Sequence, residues 1–219
     1  MRHPSNRSGD CRPFSICQRT GRKAIQVQID PSMPMVALTF DDGPNPQYTP
    51  KVLDILYEQQ VPATFFLVGK KFEGNELIIE EIAASGHEIG NHTFSHPDLM
   101  TLNKQQIQQE IQLTEAELKK VLPDYRVNYV RPPYGRYTED VENAIDLPLM
   151  LWTIDSGDWL RPDAEIIYQT VVNNIQDGDI IVFHDNNAET VKALEKIISE
   201  LKTRGFQFVT VSQMLENCS

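Results

Sequence analysis

The chain has 219 residues, 40% of them hydrophobic and 23% charged, which suits one globular domain with a sizeable core. Acidic residues outnumber basic ones 31 to 20 and the net charge is -11. Such a field repels phosphate backbones and anionic bilayers, so it argues against nucleic acid and membrane surfaces and favours a neutral substrate or a metal cation. No run approaches the roughly 20 apolar residues of a membrane-spanning helix. Arg2, Arg7, Arg12 and Arg19 are followed by no apolar stretch, so no signal peptide is expected within this chain. Residues 1–23 are polar, basic and aperiodic and read as a mobile tail before a single domain over 24–219. Cys11, Cys17 and Cys218 lack the spacing of a zinc site or a disulfide framework. Unpaired thiols are expected, with a Cys11–Cys17 bridge the alternative in an exported protein.

In chain order, residues 35–40 form an apolar run that ends in the turn-rich DDGPNP segment, the pattern of a buried strand. Apolar residues at helical spacing predict a helix over 48–60, and a second strand follows over 63–68. A helix is expected over 75–85, closed by Gly86, then a short strand over 87–90. The long periodic stretch 102–122 reads as a helix that Pro123 ends. Strands over 127–130, 149–154, 179–183 and 206–209 alternate with helices over 138–145, 163–175, 189–204 and 211–216. Such alternation implies parallel strands joined by right-handed crossovers. The fold class is therefore α/β, a distorted (β/α) barrel of about seven parallel strands.

In barrels of this kind the chemistry gathers where strands end. Five polar clusters follow the apolar runs: Asp41-Asp42, His92 to His96, Arg131 to Gly135, Asp155 to Trp159, and His184-Asp185. His92 and His96, four apart, would share one face of a helical turn and reach one metal, although Pro97 makes that turn irregular. Taken alone, such a pair is as often two ordinary hydrogen-bonded histidines. Asp41-Asp42-Gly43-Pro44 taken alone is a turn. Together, two histidines and one carboxylate make a three-ligand site with room for water, and the second carboxylate is a candidate base. Arg131 can pair with and orient a carboxylate, and Pro132 and Pro133 stiffen a loop that presents the Tyr134 N–H to an oxyanion. Trp159 offers an apolar face to a sugar ring, against the plainer reading of a core tryptophan. His184, at the end of an apolar strand and beside an acid, suits acid–base work.

Read together, TFDDGP, HTFSH, RPPYG, DSGDW and IVFHD resemble the five motifs of the polysaccharide deacetylases (carbohydrate esterase family four), over residues 39–185. The resemblance implies that Asp42, His92 and His96 bind one divalent ion, zinc first and cobalt as an alternative. It implies Asp41 as base, Arg131 as its partner, His184 as general acid and Asp158 as the residue that tunes it. Tyr134, Trp159, Val182, Pro132 and Pro133 would line the substrate site, with Val182 standing where many relatives have leucine. The implied activity is hydrolysis of N-acetyl groups on N-acetylglucosamine polysaccharides or oligosaccharides such as peptidoglycan or chitin. An esterase acting on O-acetylated xylan through the same site is the runner-up. A related cyclic-amide or urea hydrolase and a binding module without catalysis rank lower, since both Asp41 and His184 are present. A monomer is expected, and the family's habit points to a secreted or wall-associated protein.

Overall fold

The computed structural model describes residues 22–217. The three cysteines and all but the last two residues of the segment read as a tail lie outside the described residues. Arg22, at the edge, pairs with Asp54 at 2.5 Å and Glu81 at 3.0 Å.

A parallel sheet of six strands forms the centre. β1 is Met35–Asp41, β2 Thr64–Leu67, β3 Glu88–Asn91, β4 Ile154–Asp155, β5 Asp179–His184 and β6 Gln207–Val209. β1 is buried along its whole length and pairs with β5 on one side. Its other side is shared by β2 at its end and β6 at its start. Because side chains alternate across a strand, β1 feeds two cores. Val36, Leu38 and Phe40 pack outward with Phe65, Ile181 and Phe183 under the helices. Met35 and Ala37 pack inward with Ile180, Val209 and Trp152. Burial on both faces explains why these strands read as continuous apolar runs.

The helices are α1 Thr49–Gln59, α2 Glu76–Ala84, α3 Lys104–Val121, α4 Glu139–Glu142, α5 Ala164–Asn174, α6 Ala188–Thr203 and, after the last strand, α7 Val211–Asn217. Their starts carry the expected chemistry. Asn103 and Gln106 form a reciprocal capping box on α3, and Asp163 and Asn187 cap α5 and α6 through their side chains. Among the described residues no helix is long and apolar enough to cross a membrane.

Three expectations need correction. The strand expected over 127–130 shrinks to bridges at Val130, which pairs with Asn91 and with Leu149. Pro132 and Pro148 flank those bridges and supply no N–H, so the ladder cannot lengthen there. The strand expected over 149–154 keeps only that bridge at Leu149 and then β4 against β5. The helix expected over 138–145 is likewise a single turn, α4. The pairings nonetheless form a circuit: β1, β2, β3, Val130, the 149–155 segment, β5 and back to β1. This is a distorted barrel, and the register aligns the strand ends on one rim, with Asp41 opposite His184 and Leu67 opposite Asn91.

Candidate active site

Asp41 ends β1 and points into the barrel, where it is buried. In an extended chain Asp42 would point the opposite way. It instead adopts a left-handed conformation with φ 72°, which breaks the alternation and turns both carboxylates toward the rim. Left-handed backbone is uncommon for a residue other than glycine and marks a position held by its surroundings.

His92 and His96 meet without a helix. Thr93 and His96 are both left-handed, at φ 65° and φ 61°, and the loop folds back on itself until the two rings stand 4.8 Å apart. The expected helical turn is therefore replaced by a tight irregular loop, for which Pro97 was the visible sign. His92 Nδ1 lies 2.7 Å from the Arg131 carbonyl, which can only accept, so Nδ1 carries the proton and Nε2 the lone pair. That Nε2 faces Asp42 Oδ1 at 3.6 Å and Asp41 Oδ2 at 3.7 Å, while His96 Nε2 stands 3.3 Å from Asp42 Oδ1. Burial and the neighbouring His92 lower the His96 pKa, against the pull of both aspartates, which favours the neutral imidazole that a metal needs. Ligand atoms of Asp42, His92 and His96 all lie within 4.8 Å of one another. Lone pairs gathered this closely repel unless a cation lies among them, and two imidazoles with one carboxylate suit a divalent transition metal.

Arg131 is fully buried yet every arm is used. Nη1 donates to Asp41 Oδ1 and to Thr39 Oγ1, both at 2.7 Å. Nε donates to the Met150 carbonyl at 3.0 Å and Nη2 to that of Leu151 at 2.9 Å. Its guanidinium stacks on Phe66, 3.9 Å from the ring centroid. Asp41 is thus fixed in orientation by a cation that cannot move.

On the neighbouring strand end, His184 Nδ1 lies 2.7 Å from Asp158 Oδ1. The other oxygen of Asp158 accepts the His184 backbone N–H at 2.8 Å and the Thr190 hydroxyl at 2.6 Å. Burial alone would lower the His184 pKa. The hydrogen bond and charge of Asp158, with help from Asp41 and Asp42, outweigh it and push the ring up to about 9. His184 is then an imidazolium at neutral pH, able to give a proton, while the acid adjacent in sequence, Asp185, turns away and contacts Thr49 instead.

The remaining expected residues divide by burial. Trp159 is 61% exposed, with its indole N–H held by the Asp155 carboxylate at 3.1 Å. Tyr134 is also 61% exposed and left-handed at φ 62°, and its ring packs edge-on against His96 at 4.8 Å. Pro132 and Pro133 are buried beneath it. Val182, 1% exposed, sits one pleat below His184 on the inward face of β5. Sequence reasoning missed Thr39, Thr190 and Trp152. The first two hold Arg131 and Asp158, and Trp152 backs both Arg131 and Gly135, where a Cβ would stand 2.7 Å from the indole. Threonine in a strand, as at Thr39, or in the first turn of a helix, as at Thr190, and tryptophan beside a strand are ordinary choices, so no local signal marked them.

Residues 28–150 match the polysaccharide deacetylase family. The chain is 37% identical over 190 residues to the chitooligosaccharide deacetylase of Sinorhizobium fredii, covering 79% of this chain and 88% of that protein. It is 41% identical over 188 residues to a peptidoglycan-N-acetylglucosamine deacetylase of Bacillus cereus, covering 83% and 68% respectively. The solved structure of the peptidoglycan deacetylase PdaC from Bacillus subtilis superposes with a TM-score of 0.83 at 35% identity, over 86% of this chain and 93% of that one. On that match and those identities, this chain belongs to the polysaccharide deacetylase family, with the family's parallel α/β fold and its deacetylating hydrolase activity.

Proposed function

We propose that the protein removes acetyl groups from N-acetylglucosamine units of peptidoglycan or chitin-like chains, releasing acetate. The observation that carries this reading is the register of Asp41 with His184 on adjacent strand ends, one a carboxylate paired with Arg131, the other an imidazole ring paired with Asp158, whose hydrogen bond and charge raise its pKa. Amide hydrolysis needs both, because an amine leaves only when protonated.

In this reading Asp42, His92 and His96 hold one divalent ion, zinc first and cobalt as the alternative. When bound, it polarises the amide carbonyl and lowers the pKa of water. Asp41 takes a proton from the attacking water, and Arg131 keeps the receiving oxygen in place while the carboxylate changes charge. The Tyr134 N–H, fixed by the two prolines, donates to the oxygen that gains charge in the transition state. His184 delivers its Nε2 proton to the leaving nitrogen as Asp158 holds the opposite side of the ring. Trp159 and Tyr134 offer exposed aromatic faces to neighbouring sugars, and Val182 forms the floor below His184 against the acetyl methyl. The protein is taken as a monomer, which gel filtration checks.

Acetate release is measured from N-acetylglucosamine oligomers and from acetylated xylan in parallel, after chelation and after adding zinc or cobalt. Metal-restored release from the oligomers is expected. Release from xylan alone would replace the amidase reading with the esterase, and an equal rate with and without chelator would remove the metal from it.

A further inference from the structure

One carboxylate beside the cluster has no part in the roles above. Asp185 follows His184, has no exposed surface, and its Oδ1 has no hydrogen-bond partner. Its Oδ2 accepts from the hydroxyl of Thr49, also wholly buried, and Thr49 Oγ1 in turn accepts the Asn45 N–H at 2.7 Å. The carboxylate lies against Gly43: a Cβ there would stand 2.6 Å from Asp185 Oδ2 and 3.0 Å from Oδ1. The glycine of the DDGP motif is therefore the residue that lets this acid approach the turn.

Gly43 directly follows Asp42, whose left-handed backbone needs support. From the far side, Lys71 Nζ donates to the Asp42 carbonyl at 2.6 Å and the Val68 N–H to the Gly43 carbonyl at 2.8 Å. From the near side come Asp185 at Gly43 and Thr49 at Asn45, with a long contact of 3.5 Å from the Asn186 amide to Asp42 Oδ2. A buried acid with an unsatisfied oxygen is costly to keep. It stands where it joins the strand of His184 to the turn of Asp42.

We propose that Asp185 and Thr49 are a positioning pair: together they hold the 42–45 turn so that the Asp42 carboxylate sits at ligand distance from His92 and His96. This rests on the assignment of those three residues as metal ligands. Neither residue of the pair is among the three ligands so assigned, and both are wholly buried. Removing either lets Asp42 relax out of its left-handed conformation and weakens metal binding, whereas a merely structural pair would alter unfolding alone.

The test is a titration of the full chain with Co2+ alone, followed by visible absorption of the bound ion, on the parent and on Thr49→Val, Asp185→Ala, Thr49→Ser and Asp185→Asn. Metal-free unfolding midpoints are recorded alongside. Thr49→Val and Asp185→Ala are expected to weaken Co2+ binding about tenfold or more, and the conservative Thr49→Ser and Asp185→Asn to stay within about twofold. Parental affinity in both Thr49→Val and Asp185→Ala overturns the proposal, whatever their midpoints. If one of them fails to fold, the other decides by the same criterion. A parent that binds no Co2+ overturns the ligand assignment and the proposal with it, a result distinct from a parent that binds and variants that bind equally well.

Discussion

Replacing Asp158 by asparagine keeps the shape of the partner that His184 leans on and removes its charge. The ring is pushed from 6.5 to about 9, and apart from Asp158 only Asp41 and Asp42 work against burial, which lowers it. Binding a cation at Asp42 offsets their share further, so in the variant the ring should titrate at or below its ordinary 6.5. A group at about 9 is about nine-tenths protonated at pH 8, and one at 6.5 only a few per cent, so kcat/KM at pH 8 should fall about thirtyfold. At pH 6 both rings carry the proton and the difference should shrink to within about twofold. The assay is kcat/KM for acetate release from N-acetylglucosamine oligomers across pH 5 to 10. Stability should follow the same direction. A raised folded-state pKa contributes stability in full below the unfolded value and loses it as pH rises through about 9, in total about 3 kcal/mol at most for this partly solvated ring. The variant should lack that loss between pH 6.5 and 9. An alkaline limb that does not move in Asp158→Asn would refute the electrostatic argument, and an equal loss at pH 6 and pH 8 would leave Asp158 only the task of aiming the ring.

Asp41→Asn should abolish acetate release while Co2+ still binds, and His92→Ala should lose the ion. Full turnover in Asp41→Asn would mean that the base is another residue. Arg131→Met leaves the buried Asp41 carboxylate and the carbonyls of Met150 and Leu151 without their donor. It should lower unfolding free energy by about 3–5 kcal/mol, read from urea midpoints. Asn103→Ala removes one half of the α3 capping box, whose two bonds measure 3.0 and 2.9 Å. It should cost about 1 kcal/mol in the same assay and leave Co2+ affinity untouched.

Much of this molecule was readable from its sequence because two local rules agreed. Apolar runs located the strands, and polar clusters directly after them located the rim, so Asp41, Asp42, His92, His96, Arg131, Asp158 and His184 were named as candidates and the fold brings them together. What failed was conformational. The spacing of His92 and His96 suggested a helical turn, yet two left-handed residues bring the rings together, and side-chain type says little about φ at Thr93 or His96. The supporting contacts were beyond reach for a different reason. Thr39 meets Arg131 across 92 residues of chain and Thr190 meets Asp158 across 32, so no window of sequence contains both partners. The shortened strand at Val130 follows from Pro132 and Pro148, both visible, but their effect depends on which neighbour each would have had to pair with.

Arg131 reaches past Asp41 to the carbonyls of Met150 and Leu151, across the seam where, among the described residues, the backbone pairs only at Val130. Backbone pairing is thinnest there, so amide deuterium exchange should be fastest along this edge and local opening should begin at it. The guanidinium acts as a rivet in that gap, and the same atoms orient the base. Breathing of the barrel and misalignment of Asp41 are therefore one motion. An enzyme warmed until its seam opens should stop turning over before its helices melt, and a variant that tightens the seam elsewhere should hold its activity to higher temperature without any change at the catalytic groups.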